Sequence, residues 1–306
     1  LEANTSKVPF LLFKEQRKAE SSLTLKMVFR GGKRMHTNGF YGAIIGDIVG
    51  SVYEEHDYVS EKFPLFSKSS HFTDDTVLTI ATMDLLLHGV VRAPLCNHYG
   101  AIASYYRRWA NRFSDAGYGR YFYGWMKDET IGAYQSEGNG AAMRISPIAY
   151  LASSEEDCLY LVDESSAVTH DSYSGTAGAR VIALLTYEAL HGASKDKLQA
   201  TALAYYPEIR KGYKEYKRDP AYTALAKDTV PEAVAAFLDS SSFEDCIRKA
   251  ILLTGDTDTL AAMAGSIAGA FYGIDDSLVE EALERIDDDE MLKTIAAFAE
   301  TVEKKE

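Results

Sequence analysis

The chain has 306 residues, 46% hydrophobic and 25% charged, with a formal net charge of −13. That is enough apolar material for one large core or two modest ones, in the proportions of an ordinary soluble enzyme. The acidic balance speaks against a nonspecific nucleic-acid binder, and three cysteines (Cys96, Cys158, Cys246) without a CxxC pair speak against a disulfide scaffold or a thiolate metal site. No apolar run is long enough to span a bilayer, and Phe10 to Phe13 is too short for a secretory core. A cytoplasmic protein without membrane attachment is the expectation.

Residues 1–38 are locally basic and interrupted by Gly31-Gly32, which reads as an extension outside a catalytic domain of residues 39–306. From Tyr41, Ile44, Ile45, Ile48, Val49 and Val52 suit a buried helix, while Gly42, Gly46 and Gly50 fall four apart. Such a stripe lowers helix propensity but permits close backbone approach. Asp47 and Glu54, seven apart, are expected on the same side of this helix. Thr73 is a plausible N-cap for a helix beginning at Asp74-Asp75, whose charges oppose the positive end of the helix dipole, and Leu86-Leu87-His88-Gly89 is a stop.

A further helix is expected over residues 93–112. Gly138-Asn139-Gly140 marks a turn, a helix resumes near Ile148, others span about 174–190, 229–240 and 242–253, the last with a capping box from Ser241 to Glu244, and residues 193–212 read as one or two short helices joined by a polar loop. Gly265, Gly269 and Gly273 repeat the glycine spacing after Gly255-Asp256-Thr257-Asp258-Thr259, predicting two glycine-bearing helices packed centrally. The acidic 274–290 region and the final helix are expected to cover the surface. Sustained strand alternation is rare, so the fold reads as all-α and single-domain. The alternative is an α/β enzyme with Ile251-Leu252-Leu253 as a short strand before Gly255.

Thr73-Asp74-Asp75 and Asp256-Thr257-Asp258-Thr259 dominate the chemical reading. Each lies at a helix start, so their oxygens meet if the two ends meet. Converging carboxylates repel and raise one another's pKa values unless cations neutralise them. Asp and Thr oxygens suit magnesium or manganese. Either motif alone is also an ordinary helix cap; their pairing, with Asp47 and Glu54 on a tight helix, points to metal-assisted hydrolysis. Glu54 is a candidate acid or base, with Asp75 the alternative. Tyr105, Tyr106, Tyr121, Tyr123, Trp125 and Tyr134 are candidates for a ligand wall, though aromatic residues more often fill cores.

Four segments, taken in order, resemble the ADP-ribosylglycohydrolase family, which includes the dinitrogenase-reductase-activating glycohydrolases. They are the run from Gly42 to Glu54, Thr73-Asp74-Asp75-Thr76, Gly138-Asn139-Gly140-Ala141-Ala142-Met143-Arg144, and Gly255-Asp256-Thr257-Asp258-Thr259. The resemblance implies an all-helical fold with two divalent cations, Mg2+ or Mn2+, held by Thr73, Asp74, Asp75, Asp256, Asp258 and Thr259, with Asp258 bridging. It places Asp47, Gly138, Asn139, Gly140, Met143 and His170 at the substrate and Glu54 in catalysis. The implied reaction cleaves the C1′ glycosidic bond between ADP-ribose and an acceptor, often protein arginine. The implied partner is an ADP-ribosylated protein, or a small conjugate such as O-acetyl-ADP-ribose; a catalytically silent ADP-ribose-binding homologue is the reading from another class. Monomer and homo-oligomer both stay open. Asp171-Ser172-Tyr173 and Thr254 depart from the commoner family pattern, which has histidine and proline after the first histidine and glycine before Gly255.

Overall fold

The computed structural model describes residues 38–54, 56, 60–92, 98–210, 212–216 and 223–305. Apart from Asn38, the expected N-terminal extension lies outside the described residues, as does Cys96. Helix follows helix: α1 (Tyr41–Gly50), α2 (Asp74–Leu87), α3 (His98–Arg112), α4 (Arg120–Lys127), α5 (Gly140–Arg144), α6 (Pro147–Leu151) and α7 (Glu155–Ser166) come first. Then come α8 (Tyr173–Leu190), α9 (Lys195–Tyr205), α10 (Ala226–Leu238), α11 (Phe243–Leu252), α12 (Thr257–Tyr272), α13 (Asp276–Leu283) and α14 (Asp289–Lys305). Among the described residues there is no strand, only an isolated bridge between Gly138 and Leu225. The weighed strand at residues 251–253 is instead the end of α11 and its cap. No described helix is long and apolar enough to cross a membrane.

The centre is the pair α1 and α12. Every residue of α1 is buried, as is α12 from Thr257 to Ala270, the pattern of helices apolar all round. Ile44, Ile45, Ile48 and Val49 are shut off from solvent, each such burial worth about 1.5–3 kcal/mol. A Cβ on Gly42 would lie 2.1 Å from Gly265 O, and one on Gly46 2.1 Å from Ala261 O. A Cβ on Gly50 would lie 2.5 Å from Thr257 O. Only hydrogen fits, so the glycine stripe is a backbone-to-backbone contact. The pairing runs antiparallel, which brings the end of α1 against the start of α12. Thr257 Oγ1 donates at 2.9 Å to Gly50 O, a carbonyl at the end of α1 that also accepts from Tyr53 N at 2.8 Å in the following turn. Gly273 is not part of the stripe; it ends α12 with a φ of 74°.

Elsewhere the chain caps itself with serine. Ser154, Ser172, Ser194 and Ser242 each accept a backbone N–H from the first turn of the following helix. The cap of α11 is thus Ser242, one residue later than expected, and the Asp245 carboxylate reaches back to the Ser241 N–H at 2.7 Å. α7 has no counterpart among the expected helices, because Cys158, Leu161 and Val162 form only a narrow buried stripe among acids. α14 is an outer helix that still buries Met291, Ile295, Phe298 and Val302 at helical spacing.

Candidate active site

α2 begins against α1 through one carboxylate. Asp47 accepts from Thr73 N at 2.9 Å, Thr73 Oγ1 at 2.7 Å and Thr76 N at 3.0 Å. It therefore caps the neighbouring helix from the side, and burial, opposed by these hydrogen bonds, raises its pKa. Asp47, expected at the substrate, is fully buried and is not among the residues that line the cavity. Glu54 also differs from its expected setting, since α1 stops at Gly50 and Glu54 lies in the turn beyond it. The antiparallel packing nonetheless carries it to the start of α12.

There the acids converge. Carboxylate oxygens of Glu54, Asp256 and Asp258 lie within 4.8 Å of one another. Thr259 Oγ1 donates to Asp75 Oδ2 at 3.1 Å, tying the start of α12 to the start of α2. Burial, and then the charges of neighbouring carboxylates, hold Asp74, Asp75 and Asp258 well above the usual range. Asp258 is the foremost neighbour for Asp75, and Asp256 for Asp258. Asp75 Oδ1 is buried with no hydrogen-bond partner among the described residues, an expensive arrangement for an acceptor. The donor set is oxygen alone. A crowded set of Asp, Glu and Thr oxygens with an orphaned carboxylate atom fits hard divalent cations.

The cluster forms one end of a cavity of about 750 Å³, within the range of small-molecule sites. Thr73, Asp74, Asp75, Asp256, Asp258, Thr259 and Glu54 line that end, and Gly138, Asn139, Gly140, Met143 and His170 line the same space. Asn139 Nδ2 donates to Asp256 Oδ2 at 2.6 Å and to Thr229 Oγ1 at 3.2 Å, so this side chain orients the acidic cluster. Gly138 N donates to Ser136 Oγ and Asn139 N to Ala224 O, so two of the loop N–H groups are engaged within the protein. At Gly138 and Asn139 the loop therefore contributes close approach rather than open donors. Met143 Sδ lies 3.8 Å from Thr259 Oγ1.

Of the expected aromatic wall, Tyr121 and Tyr134 line the cavity, joined by Phe122, whereas Tyr105, Tyr106, Tyr123 and Trp125 do not. Trp125 and Tyr106 are core, Tyr106 bonding Thr82 and Ser165. Sequence reasoning missed the wall formed by Asp115, Ala116 and Gly117, and that formed by Ala224 and Leu225. The first had a local signal in Gly117-Tyr118-Gly119: Gly117 takes a φ of 105° beside Asp74. The second reaches the site only through the long-range pairing of Gly138 with Leu225.

The family model for ADP-ribosylglycohydrolase matches residues 36–306. The chain belongs to the ADP-ribosylglycohydrolase family. It is 27% identical to mouse (Mus musculus) ADP-ribosylhydrolase ARH3, over 76% of this chain and 82% of that protein. It is also 27% identical to ADP-ribosylarginine hydrolase Tri1 of Pseudomonas putida (strain GB-1), over 76% and 69%. Identity to the ADP-ribosyl-[dinitrogen reductase] glycohydrolase of Rhodospirillum rubrum is 25%, over 78% and 85%. A solved structure described as an ADP-ribosylglycohydrolase-related protein complex shares the fold, with a TM-score of 0.64 and 24% identity, covering 87% of this chain and 97% of that one. The protein is thus an all-α hydrolase of this family.

Both departures from the family pattern have structural consequences. Thr254 occupies the left-handed region with a φ of 61°, a conformation that glycine takes freely and a β-branched residue does not. Asp171 Oδ1 accepts from Gln135 N at 2.7 Å, and Ser172 Oγ donates to Ser136 O at 2.5 Å. These two side chains brace the cavity-wall segment on which Gln135 sits with a φ of 53°.

Proposed function

We propose that this ADP-ribosylglycohydrolase cleaves the C1′ glycosidic bond of ADP-ribosylated substrates, with ADP-ribosyl-arginine on a protein as the first candidate, using two divalent cations, Mg2+ or Mn2+. The observation that carries the reading is the crowding of Glu54, Asp75, Asp256 and Asp258 at the end of one cavity, with Asp75 Oδ1 left unpaired. Thr73, Asp74, Asp75, Asp256, Asp258 and Thr259 would hold the ions. Bound there, the ions would acidify water and fix substrate hydroxyl oxygens.

The chain's own groups divide the remaining work. Asn139 keeps Asp256 oriented through its 2.6 Å bond, and Asp47 fixes the α2 start that carries Asp74 and Asp75. Glu54, on the cavity wall beside Asp256 and Asp258, takes a proton from the attacking water and returns one to the departing acceptor atom; Asp75 is the alternative for this exchange. In the balanced reaction the C1′–acceptor bond breaks, a C1′–oxygen bond to water forms, and the proton passes to the acceptor. The arginine preference is supported by the name of the Pseudomonas putida relative.

The test is release of free ADP-ribose by purified protein from arginine-linked, serine-linked and O-acetyl conjugates, with Mg2+ or Mn2+ and with a chelator. Metal-dependent release from the arginine conjugate, abolished by Asp258→Ala, is expected. Undiminished turnover in chelator contradicts the reading. Faster release from the acetyl ester reassigns the substrate, and tight ADP-ribose binding with no turnover of any conjugate identifies a silent homologue.

A further inference from the structure

The outer side of α4 is a surface that the reaction above does not use. Phe122, Trp125 and Met126 turn inward and are buried. At about 100° per residue, Arg120, Gly124 and Lys127 then run down the outer side, with Tyr121 on one flank and Tyr123 on the other. Tyr121 is 77% exposed and Tyr123 44%, much aromatic area to leave in water. A Cβ on Gly124 would meet nothing within 4 Å, so the strip between the tyrosines is open. Lys127 Nζ lies 5.5 Å from the Tyr123 ring centroid. Neither Arg120 nor Lys127 has an ion-pair partner among the described residues. The acids that follow, Asp128 and Glu129, lie past the helix end, and Asp128 closes its own turn by accepting from Thr130 N at 2.9 Å and Thr130 Oγ1 at 2.6 Å.

This strip is joined to the cavity. Arg120 and Tyr121 reach its wall, and Gly117, just ahead of α4, lies beside Asp74. Leu225, another exposed apolar side chain, lines the same cavity. A small conjugate can enter whole, but a protein that carries the ADP-ribosyl group stays outside and must rest on this lip. Charge decides which part of such a protein fits. The chain carries −13 overall, so most of its surface repels an acidic segment, whereas α4 offers two cations and no acid. Arg120 and Lys127 are separated by about 10 Å along the helix. An extended peptide covers that distance in about three residues, at about 3.3 Å each.

We propose that the outer side of α4 is the docking strip for the acceptor protein. It receives an extended acidic segment beside the modified residue, with two carboxylates about three residues apart on Arg120 and Lys127 and apolar contact on Tyr121 and Tyr123. The identity of the acceptor rests on the ADP-ribosyl reading; the preference for an acidic segment does not. Exposed ion pairs are individually weak, so the strip contributes selectivity among acceptors and faster encounter more than raw affinity.

Two arginine-ADP-ribosylated peptides test this on the full-length protein, identical except for two glutamates or two glutamines about three residues apart. Free ADP-ribosyl-arginine is the small substrate. The glutamate peptide should have a KM about tenfold lower at low salt, with kcat within about twofold, and the advantage should fade at about 0.5 M salt. Lys127→Glu should erase that advantage, and Tyr123→Ser should raise KM for both peptides. Neither residue lines the cavity, and neither substitution should change turnover of free ADP-ribosyl-arginine. Fluorescence anisotropy of the glutamate peptide without ADP-ribose, in chelator, reads docking apart from turnover, and Lys127→Glu should weaken it. Equal KM for the two peptides, or a Lys127→Glu loss as large for the small conjugate, overturns the proposal. So does a dimer that Tyr123→Ser converts to monomer, since a second copy then covers the strip. Peptide binding with no turnover of any conjugate counts against the ADP-ribosyl reading, not against the strip.

Discussion

Replacing Gly46 by alanine should cost both stability and activity, because the new methyl would meet backbone. Its carbon would sit 2.1 Å from Ala261 O, 2.3 Å from Ala261 C and 2.6 Å from Ala262 N. No side chain can rotate away, so α1 and α12 must part by about 1.3 Å to reach ordinary contact, the 2.1 Å approach growing to 3.4 Å. Overpacking of this kind costs about 3 kcal/mol, offset by about 1 kcal/mol from alanine's better helix propensity. The net loss of about 2 kcal/mol corresponds to a Tm lower by about 4–8 °C. The same separation moves Glu54 relative to Asp256 and Asp258, and a displacement near 1 Å can cost about a hundredfold in rate. Thermal melts and ADP-ribose release would be compared with Gly124→Ala, where a Cβ in α4 meets nothing within 4 Å. That control should gain about 0.5–1 kcal/mol. A Gly46→Ala protein as stable and active as the parent would refute the backbone contact.

Other outcomes follow from single residues. Thr254→Gly removes a left-handed β-branched residue costing about 1–2 kcal/mol and adds back about 0.5–1 kcal/mol of unfolded-chain freedom, so Tm should rise by about 2 °C; a fall would contradict the strain argument. Asp47→Asn leaves one acceptor oxygen for donors that now use two and turns an amide N–H toward the α2 start, so denaturant unfolding should show a loss of about 2–3 kcal/mol. A change below about 0.5 kcal/mol would mean that this cap is dispensable. Because Asp74, Asp75 and Asp258 have raised pKa values, the folded metal-free protein binds more protons than the unfolded chain. The resulting stabilisation is full below the unfolded carboxylate range, near pH 4, and is lost as the pH rises through the folded values. Melts in chelator from about pH 5 to about pH 8 should show Tm falling with a slope that Asp258→Asn reduces; equal slopes would contradict the crowding.

Much of this was legible because the informative residues act locally or repeat. The four-residue glycine spacing in α1 and α12 has one economical cause, and the structure realises it as backbone contact. Thr73 reads as a cap because its hydroxyl serves the helix it precedes. Asp47 was harder: periodicity locates its face on α1 but not the partner, and here the partner is the N–H array of α2. The seven-residue step to Glu54 rests on a helix that continues, whereas α1 stops at Gly50, whose carbonyl takes the Tyr53 N–H of a turn and the Thr257 hydroxyl. Likewise, the brace from Asp171 to Gln135 and the pairing of Gly138 with Leu225 join segments with no shared local pattern.

The central claim is that cations belong among these carboxylates, and calorimetric titration of the metal-stripped protein with Mn2+ tests it most directly. Two saturable equivalents per chain, lost or reduced to one in Asp258→Asn, are the predicted result. Absence of saturable binding, or two equivalents that persist unchanged without Asp258, would contradict the account.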